Sequence, residues 1–291
     1  MKFEDRNQEY RAHIESILRE VYAVHHNLPQ AHLFRAMEYS LFAGGKRIRP
    51  ILTLEFARLC CGDYRKASSF AAAIEMIQTY SLIHDDLPCM DNDDFRRGKP
   101  TNHKVFGEGM AVLAGDALLT DAFMTVANAP DLPGAAIAKA VAVLAECTGS
   151  LGMVGGQVLD IDSENRLLTE QEVLDIQSRK TGALIRASCV LGVIAGGGSA
   201  EQLKAAAKFA DCLGLAFQIR DDVLDVIGTQ AEMGKGVGTD EAKNTFVRLY
   251  GLEKCEELVN RYTQEAISAL SPFHDREFLV ELALSLTARR T

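Results

Sequence analysis

The sequence predicts an all-α protein in which about ten or more helices pack around a common centre. Three observations favour this fold. Apolar residues recur at helical spacing, as in the stripe of Ile14, Leu18 and Val21. Residues 134–147 are rich in alanine, the strongest helix former. The sequence lacks the series of short alternating apolar runs separated by turns that would indicate a β-protein.

Local signals place helix boundaries and argue for one domain. Thr169 with Glu172, and Ser199 with Gln202, have the spacing of capping boxes at helix N-termini. The breaks between helical stretches are short turns without the length or composition of an interdomain linker. We therefore expect residues 1–291 to form a single domain.

The acidic composition narrows the range of partners. The 291 residues carry a net charge of −9 and are 47% hydrophobic. A nucleic-acid-binding protein would show a basic excess, so we expect no nucleic-acid partner. An acidic protein that holds an anionic substrate needs local basic clusters or bound cations.

The cysteines and the hydropathy of the sequence indicate in which cellular compartment the protein is expected. The seven cysteines include no CxxC pair, which favours reduced thiols over a disulfide framework or a zinc site. The N-terminal stretch MKFEDRNQEYRAH has no apolar signal region. No uninterrupted apolar run approaches the roughly 20 residues that cross a bilayer. We expect a soluble cytoplasmic protein with no membrane partner.

The first acidic cluster lies in residues 81–98, SLIHDDLPCMDNDDFRRG. Its five carboxylates are Asp85, Asp86, Asp91, Asp93 and Asp94. They follow directly on an apolar helical segment, so the first two are expected near the core. Carboxylates at this density repel one another unless cations lie between them. The alternative interpretation is a solvated acidic loop.

Pro88 is expected to set the relative positions of the carboxylates in this cluster. On a straight helix Asp85 and Asp91 would point about 120° apart and could not easily share an ion. Pro88 clashes with the carbonyl of His84, so it should bend or end the helix and bring Asp91 back beside Asp85. Ligands that are all carboxylate oxygens favour magnesium, which binds one or two carboxylates and then substrate phosphates.

A second acidic cluster lies in residues 214–228, GLAFQIRDDVLDVIG. Asp221 and Asp225 are four residues apart and share a helix face, with Gln218 one turn earlier. The helix is apolar nearly all round and should be buried, where unpaired carboxylates are costly. Arg220 could neutralise one of them. Alternatively, metal ions and a diphosphate between two acidic walls would satisfy every charge.

A basic turn, GGKRIRP at 44–50, provides the cations. Pro50 marks the first turn of a helix, and the glycine pair should end the helix before it. Lys46, Arg47 and Arg49 therefore crowd a helix N-terminus, which disfavours cations unless an anion is bound there. A plain exposed basic turn is the alternative. Further basic candidates are Arg96, Arg97, Lys180, Lys235 and Lys243.

These motifs together resemble the trans-prenyltransferases, the short-chain isoprenyl diphosphate synthases. The ordered set covers about residues 40–250. It comprises GGKRIRP, SLIHDDLPCMDNDDFRRGKPTNHKVFGE, LAGDALL, GMVGGQ, KTGALI and GLAFQIRDDVLDV. The resemblance implies the isoprenoid synthase fold, with its helices around a central cavity, usually as a homodimer. It also implies head-to-tail joining of an allylic diphosphate to isopentenyl diphosphate, with release of pyrophosphate.

The resemblance further implies roles for individual residues. Magnesium (Mg2+), up to three ions once a diphosphate is bound, would be held by Asp85, Asp86, Asp91, Asp221 and Asp225, with Asp222 in support. Isopentenyl diphosphate would be held by Lys46, Arg49 and Arg97, near Gln78. The allylic diphosphate would be held by Arg96, Lys180, Lys235 and Lys243. Thr181 and Gln218 would offer oxygens to the developing carbocation.

Three positions depart from the family pattern. Gln78 stands where many relatives have a histidine, although an amide can still donate to phosphate. The loop from Lys235 to Lys243 is two residues shorter than in bacterial relatives. The sequence NTFV at 244–247 replaces a more usual STYP. The last two features leave the placement of the allylic-side loop open.

Chain length is expected to follow cavity depth. Tyr80 lies five residues before Asp85, about 7.5 Å deeper along the same helix. A bulky residue there limits growth in this family, so Tyr80 favours a fifteen-carbon product, farnesyl diphosphate, as in bacterial farnesyl synthases. The stretch PCMDNDDFRRGKPTNHKVFGE resembles plant geranylgeranyl synthases instead, which keeps a longer product open.

The sequence alone leaves three other functions open. A terpene cyclase would need one acidic cluster but no second diphosphate site, and the basic turn argues for a second site. A non-catalytic partner of such a synthase would be expected to lose acids from one cluster. A magnesium-dependent diphosphate hydrolase would release pyrophosphate without any gain of carbon.

Overall fold

The structure is a computed structural model that describes residues 2–22, 27–163, 166–233 and 245–288, with the backbone alone at 228–233. Within these residues the protein is all-α, as predicted, with one minimal hairpin. The first seven helices are α1 (Phe3–Tyr22), α2 (Ala31–Leu41), α3 (Ile48–Cys61), α4 (Ser68–Asp85), α5 (Asn102–Phe106), α6 (Glu108–Ala127) and α7 (Gly134–Thr148). The remaining six are α8 (Met153–Asp162), α9 (Glu170–Gln177), α10 (Ala183–Ala195), α11 (Ala200–Met233), α12 (Phe246–Ala269) and α13 (Glu277–Thr287).

Both predicted capping boxes are present. The Thr169 hydroxyl accepts from the Glu172 N–H at the start of α9, while the Glu172 carboxylate accepts from the Thr169 N–H at 2.9 Å. At the start of α11, Gln202 and Ser199 exchange the equivalent bonds at 2.9 and 3.2 Å. Each box satisfies N–H groups that the first helical turn leaves without a partner.

The centre of the bundle is formed by α4 and α10. α4 packs against α3 and α6, and α10 packs against α3, α7 and α11. A small residue permits the closest approach, because a Cβ on Gly192 of α10 would lie 2.8 Å from the Phe56 Cβ of α3. Residues on the buried faces, such as Phe56, Phe70 and Phe209, are fully excluded from solvent. The acidic end of α4 and the acidic segment within α11 are therefore carried on helices that cannot easily shift.

A smaller apolar cluster supports α11 from the other side. Ile219 and Val223 of α11 pack there with Phe246 and Val259 of α12 and Val173 of α9. Ile219 and Val223 lie on the face of α11 that turns away from Asp221 and Asp225. The second acidic segment is thus fixed between two apolar contacts.

Two elements were not anticipated from the sequence. A two-residue antiparallel pair, β1 (Phe95–Arg96) and β2 (Lys99–Pro100), follows the first acidic cluster. A single π-helical turn, Ser178–Gly182, joins α9 to α10. π-turns of this kind occur frequently at functional sites.

The expectation that no segment is long and apolar enough to cross a bilayer needs correction. Two helical stretches, Glu108–Ala127 and Gly134–Asp162, are by length and composition apolar enough to cross a membrane. This is weak evidence, because helices from the core of a soluble protein pass the same test. In α6, Asp121 accepts a 3.3 Å hydrogen bond from the Tyr22 hydroxyl of α1, which places a paired carboxylate in mid-helix. Large apolar side chains on α6 and α8 are nonetheless exposed.

Candidate active site

The end of α4 has the geometry that Pro88 predicts. The helix stops at Asp85, and the chain turns back so that the Asp91 N–H donates to the Asp85 carbonyl at 2.8 Å. A further bond from the Leu87 N–H to the His84 carbonyl, 3.1 Å long, tightens the last turn. Asp85 and Asp91 are thereby brought together at the mouth of the apolar bundle.

Burial makes Asp85 costly to ionise. The pKa of Asp85 is raised to about 6, chiefly by burial and also by the nearby Asp91 carboxylate, while Lys180 and Arg96 oppose the shift. A carboxylate in this position is stabilised by an added cation. The electrostatics therefore fit a metal between Asp85 and Asp91.

The second aspartate of the pair faces a different neighbour. Asp86 is 3% exposed and accepts a 2.6 Å bond from Arg96 Nε, while Arg96 Nη2 donates to Asp93. This placement favours a positioning role for Asp86 over direct metal ligation. Arg96 in turn is held by carboxylates, so an allylic diphosphate would have to share it with them. Arg97, at the tip of the hairpin, donates to the Gly44 carbonyl of the basic turn.

The π-turn presents the next pair of predicted residues. Lys180 Nζ donates to Asp160 Oδ2 of α8 at 2.6 Å, and Thr181 lines the same cavity as Asp85. Gly156 permits this contact, since a Cβ there would collide with the backbone of Lys180. Asp160 was not singled out from the sequence, because its pairing depends on two helices meeting in space.

The second acidic segment is bonded to its surroundings on both sides. Gln218 Nε2 donates to Gln177 Oε1 of α9 at 2.9 Å, next to the π-turn. Asp222 accepts a 2.7 Å bond from the Phe246 N–H at the start of α12. Burial raises the pKa of Asp222 to about 6, with Asp225 and Asp221 adding to the rise.

Arg220 does not neutralise the second cluster. Its guanidinium donates two bonds of 2.6 Å to the Glu256 carboxylate of α12. The sequence alternative in which Arg220 pairs with a neighbouring aspartate is therefore wrong. Asp221 and Asp225 keep their place on the face of α11 opposite the small apolar cluster.

The three cations of the basic turn differ in burial and in their partners. Lys46 is exposed, whereas Arg49 is half-buried and its Nε atom finds no acceptor among the described residues. Burial lowers the pKa of Arg49 to about 10, opposed by Glu75 and by Asp221. Arg49 also lines the same cavity as Asp85. A buried guanidinium donor without an acceptor is costly unless a ligand supplies one.

Arg47 corrects the sequence prediction for this turn. It is only 4% exposed, and it is bonded to Glu75 and Glu15 instead of facing a ligand site. Its left-handed backbone, with φ of 52°, sends the side chain inward while Lys46 points out. The preceding helix also ends earlier than predicted, at Leu41, so that the two glycines lie inside the turn.

A cavity of about 530 Å³ brings together groups from the first acidic cluster, the π-turn and the basic turn, but none from the second acidic cluster. Its mouth carries Asp85, Lys180, Thr181 and Arg49, with Gln78 beside them. Below the mouth it becomes apolar, between α4, α6 and α8. Tyr80 lines this lower part, is 6% exposed and packs edge-on against His84 at 5.7 Å. The shape suits a charged head and an apolar tail.

The donor set fits magnesium together with a phosphate ligand. Within the described part of the chain, no group of three or more His, Cys, Asp or Glu side chains is arranged to hold a metal alone. Magnesium is commonly bound by one or two carboxylates, with waters and substrate phosphates completing its shell. Asp85 with Asp91, and Asp221 with Asp225, are carboxylate pairs of the kind that bind magnesium in this way. Lys235 and Lys243 lie outside the described residues.

Comparison with known proteins defines the class. The polyprenyl synthetase family model matches residues 30–276. The large subunit 1 of the heterodimeric geranylgeranyl pyrophosphate synthase of Arabidopsis thaliana chloroplasts is 48% identical over 261 residues, covering 87% of this chain and 70% of that one. The chloroplastic geranylgeranyl pyrophosphate synthase of Capsicum annuum is 47% identical over 257 residues, with coverage of 87% and 70%.

A solved structure agrees with these relatives. An FPP/GFPP synthase from Zymomonas mobilis superposes with a TM-score of 0.86 at 34% identity, over 98% of this chain and 97% of that one. The all-α bundle with its acid-rimmed cavity is thus that of a prenyltransferase of isoprenoid biosynthesis. The chain belongs to the polyprenyl synthetase family, whose substrates are isoprenoid diphosphates.

The raised pKa of Asp85 predicts a pH-dependent cost in the metal-free protein. With a folded pKa of about 6 and an unfolded one near 3.9, the ionised side chain destabilises the fold above pH 6, and the cost disappears as pH falls toward 4. Asp85→Asn should therefore raise the thermal midpoint at pH 7.5 by roughly 2–4 °C, as about 1 kcal/mol would. The gain should shrink at pH 5.

Calorimetry at both pH values, in the presence of a chelator, measures this. Glu253→Gln, at an exposed carboxylate of α12, is the control and should leave the midpoint unchanged at both. A lower midpoint for Asp85→Asn at pH 7.5 would show that Asp85 is stabilised in the metal-free fold, contrary to this account.

Proposed function

We propose that this protein is a magnesium-dependent farnesyl diphosphate synthase. It would condense isopentenyl diphosphate with dimethylallyl or geranyl diphosphate and release pyrophosphate. The observation that carries the proposal is a cavity with acidic and basic groups at its mouth and Tyr80 in its apolar depth. The head of such a cavity suits a diphosphate, and its depth limits the hydrocarbon tail.

The chain's own residues support ionisation followed by condensation. The allylic C–O bond breaks and its electron pair leaves with pyrophosphate, where Lys180 is placed to balance the added negative charge. Thr181, which lines the cavity, and Gln218, which bonds Gln177 next to the π-turn, would offer oxygens to the allylic cation. The double bond of isopentenyl diphosphate then forms the new C–C bond, and a proton passes to the departing pyrophosphate.

Magnesium, when bound, supplies Lewis-acid neutralisation of the leaving group. Asp85 and Asp91 on one wall and Asp221 and Asp225 on the other would hold it. The apolar lower cavity has a separate task, because water reaching the cation would convert it to an alcohol. Leu87, 6% exposed, adds to the apolar lining just below the acids.

A geranylgeranyl product is the second candidate. It is favoured by the identity of 47–48% to relatives named geranylgeranyl pyrophosphate synthases. Tyr80 favours the shorter product because its ring occupies the cavity about 7.5 Å from Asp85 along α4. Burial raises the pKa of Tyr80 to about 12, so the ring remains an uncharged wall at working pH.

The proposed reaction is tested by incubating the protein with isopentenyl diphosphate, geranyl diphosphate and magnesium. The expected product is farnesyl diphosphate, identified by mass spectrometry.

Asp221→Ala should lower turnover by at least about 100-fold, since a transition-state charge loses its counter-ion. Glu253→Gln serves as the matched surface control and should remain active. Pyrophosphate release without any gain of carbon would favour a hydrolase instead.

Tyr80 can be tested for its part in chain length. Tyr80→Ala opens the floor of the cavity and should shift the product from fifteen to twenty carbons or more. Tyr80→Phe keeps the ring and should leave the product unchanged. An identical product from Tyr80→Ala and the wild type would mean that another side chain ends the cavity.

We also propose a homodimer. Val112, Leu113 and Met124 on α6, with Val154 and Val158 on α8, are large apolar side chains that are at least 40% exposed. Val112, Val154 and Val158 also line the cavity, so its outer wall is apolar and uncovered between these helices. A second copy packed on α6 and α8 would bury this surface and close the cavity to water.

Leu113→Glu tests the dimer, because a charge at a side chain that is 55% exposed would disrupt an apolar interface without entering the core. Light scattering should report a dimer for the wild type and a monomer for the variant. Leu167→Glu, at a 70% exposed leucine in the segment before α9, should remain dimeric. A wild-type monomer at high concentration would contradict the proposal.

A reducing compartment is the remaining part of the proposal. All seven cysteines are free thiols, four of them buried. Reduced thiols suit the cytoplasm. Activity that is unchanged by reductant, and that is found in the soluble cell fraction, would support this location.

A further inference from the structure

Arg47 lies beside the basic turn but does not face the cavity. Its Nε and Nη2 atoms donate to Glu15 Oε1 at 2.9 and 2.7 Å, and Nη2 also donates to the Leu41 carbonyl at 2.6 Å. Its Nη1 donates to Glu75 Oε1. One planar guanidinium therefore ties α1, the end of α2 and α4 to the turn that precedes α3.

The backbone of the turn depends on this anchor. Gly44, Gly45 and Arg47 all have positive φ, and a non-glycine residue adopts this conformation only when its surroundings hold it. The conformation separates neighbouring side chains, so that Lys46 is exposed while Arg47 is buried. The direction of Lys46 thus follows from the inward bonds of Arg47.

The turn also holds Arg97. The Arg97 guanidinium donates to the Gly44 carbonyl and lies against Gly45, where a Cβ would come within 2.7 Å of Cζ. Displacement of the turn would therefore move Arg97 together with Lys46. Two cations from distant parts of the sequence share one support.

Glu75 supplies the counter-charge beneath this group. It lies on α4, ten residues before Asp85, and is 3% exposed. Among the described residues, Arg47 is the only one whose side chain donates a hydrogen bond to the Glu75 carboxylate. Glu75 also attracts Arg49 and Arg97, and this attraction opposes the lowering of their pKa values by burial. Glu75 and Glu15 together are two carboxylates facing three guanidinium groups, which leaves positive charge over for an anion.

We propose that Arg47 and Glu75 form a positioning pair that holds Lys46, Arg49 and Arg97 as a preformed site for the diphosphate of isopentenyl diphosphate. This inference rests on the proposed condensation reaction. Neither residue of the pair touches the substrate. Their effect is to fix the turn and to keep Arg49 from being drawn toward an unpaired Glu75.

Arg47→Lys is the decisive variant, because it keeps the charge but cannot form the fork of bonds to Glu15, Glu75 and Leu41. KM for isopentenyl diphosphate should rise at least about tenfold, a loss of one decade in apparent affinity. KM for geranyl diphosphate should stay within about twofold. Partial unfolding lowers the active fraction, and hence kcat, but does not raise KM for one substrate alone.

Glu15→Gln is the matched control. Glu15 is the more exposed partner, with 35% of its side chain accessible, and the bonds of Arg47 to Glu75 and Leu41 remain in this variant. Both KM values should stay near those of the wild type. Arg47→Met should equal or exceed the effect of Arg47→Lys if it folds.

The outcomes separate the two proposals. A wild-type protein that makes no carbon–carbon bond contradicts the condensation reaction itself. An active wild type whose Arg47→Lys variant has unchanged KM values overturns the positioning pair. Equal increases in KM for both substrates would also overturn it, since the effect would not be specific to the isopentenyl side.

Discussion

The cost of ionising carboxylates that are buried on packed helices is the constraint on which the rest of the site depends. Asp85 and Asp222 stand on helices packed on both sides, and burial raises the pKa of each to about 6. The fold cannot relieve this cost by moving the helices. It has to place cations there, and Lys180 and Arg96 supply only part of the compensation. In the proposed reaction, a metal-bridged diphosphate would supply the remainder.

The basic side of the cavity solves the opposite problem. Arg49 is half-buried with an Nε that has no acceptor in the described structure, and Arg97 is held against the glycines of the turn. The Glu75 carboxylate attracts both guanidinium groups, and this attraction opposes the lowering of their pKa values by burial. In the proposed function, these guanidinium groups would hold one diphosphate, and the carboxylates would hold metal ions that accompany another. This separation suits two diphosphates that react with each other.

The sequence was sufficient for those features that local physics decides. Helical periodicity predicted the bundle, and the position of Pro88 predicted that Asp91 returns to Asp85. The inward turn of Arg47 was not predictable, because it depends on a left-handed backbone and on carboxylates from two other helices. The Lys180–Asp160 pair and the Arg220–Glu256 pair were missed for the same reason, since each joins helices that meet only in the folded chain.

Binding of inorganic pyrophosphate tests most directly whether metal ions reconcile the acidic walls with an anionic ligand. Isothermal titration should be carried out on the wild type with magnesium and again with a chelator. The account predicts clear binding with magnesium and a loss of at least about tenfold in affinity without it. Equal affinity under both conditions would contradict it, because the basic side chains alone would then be sufficient to hold the diphosphate.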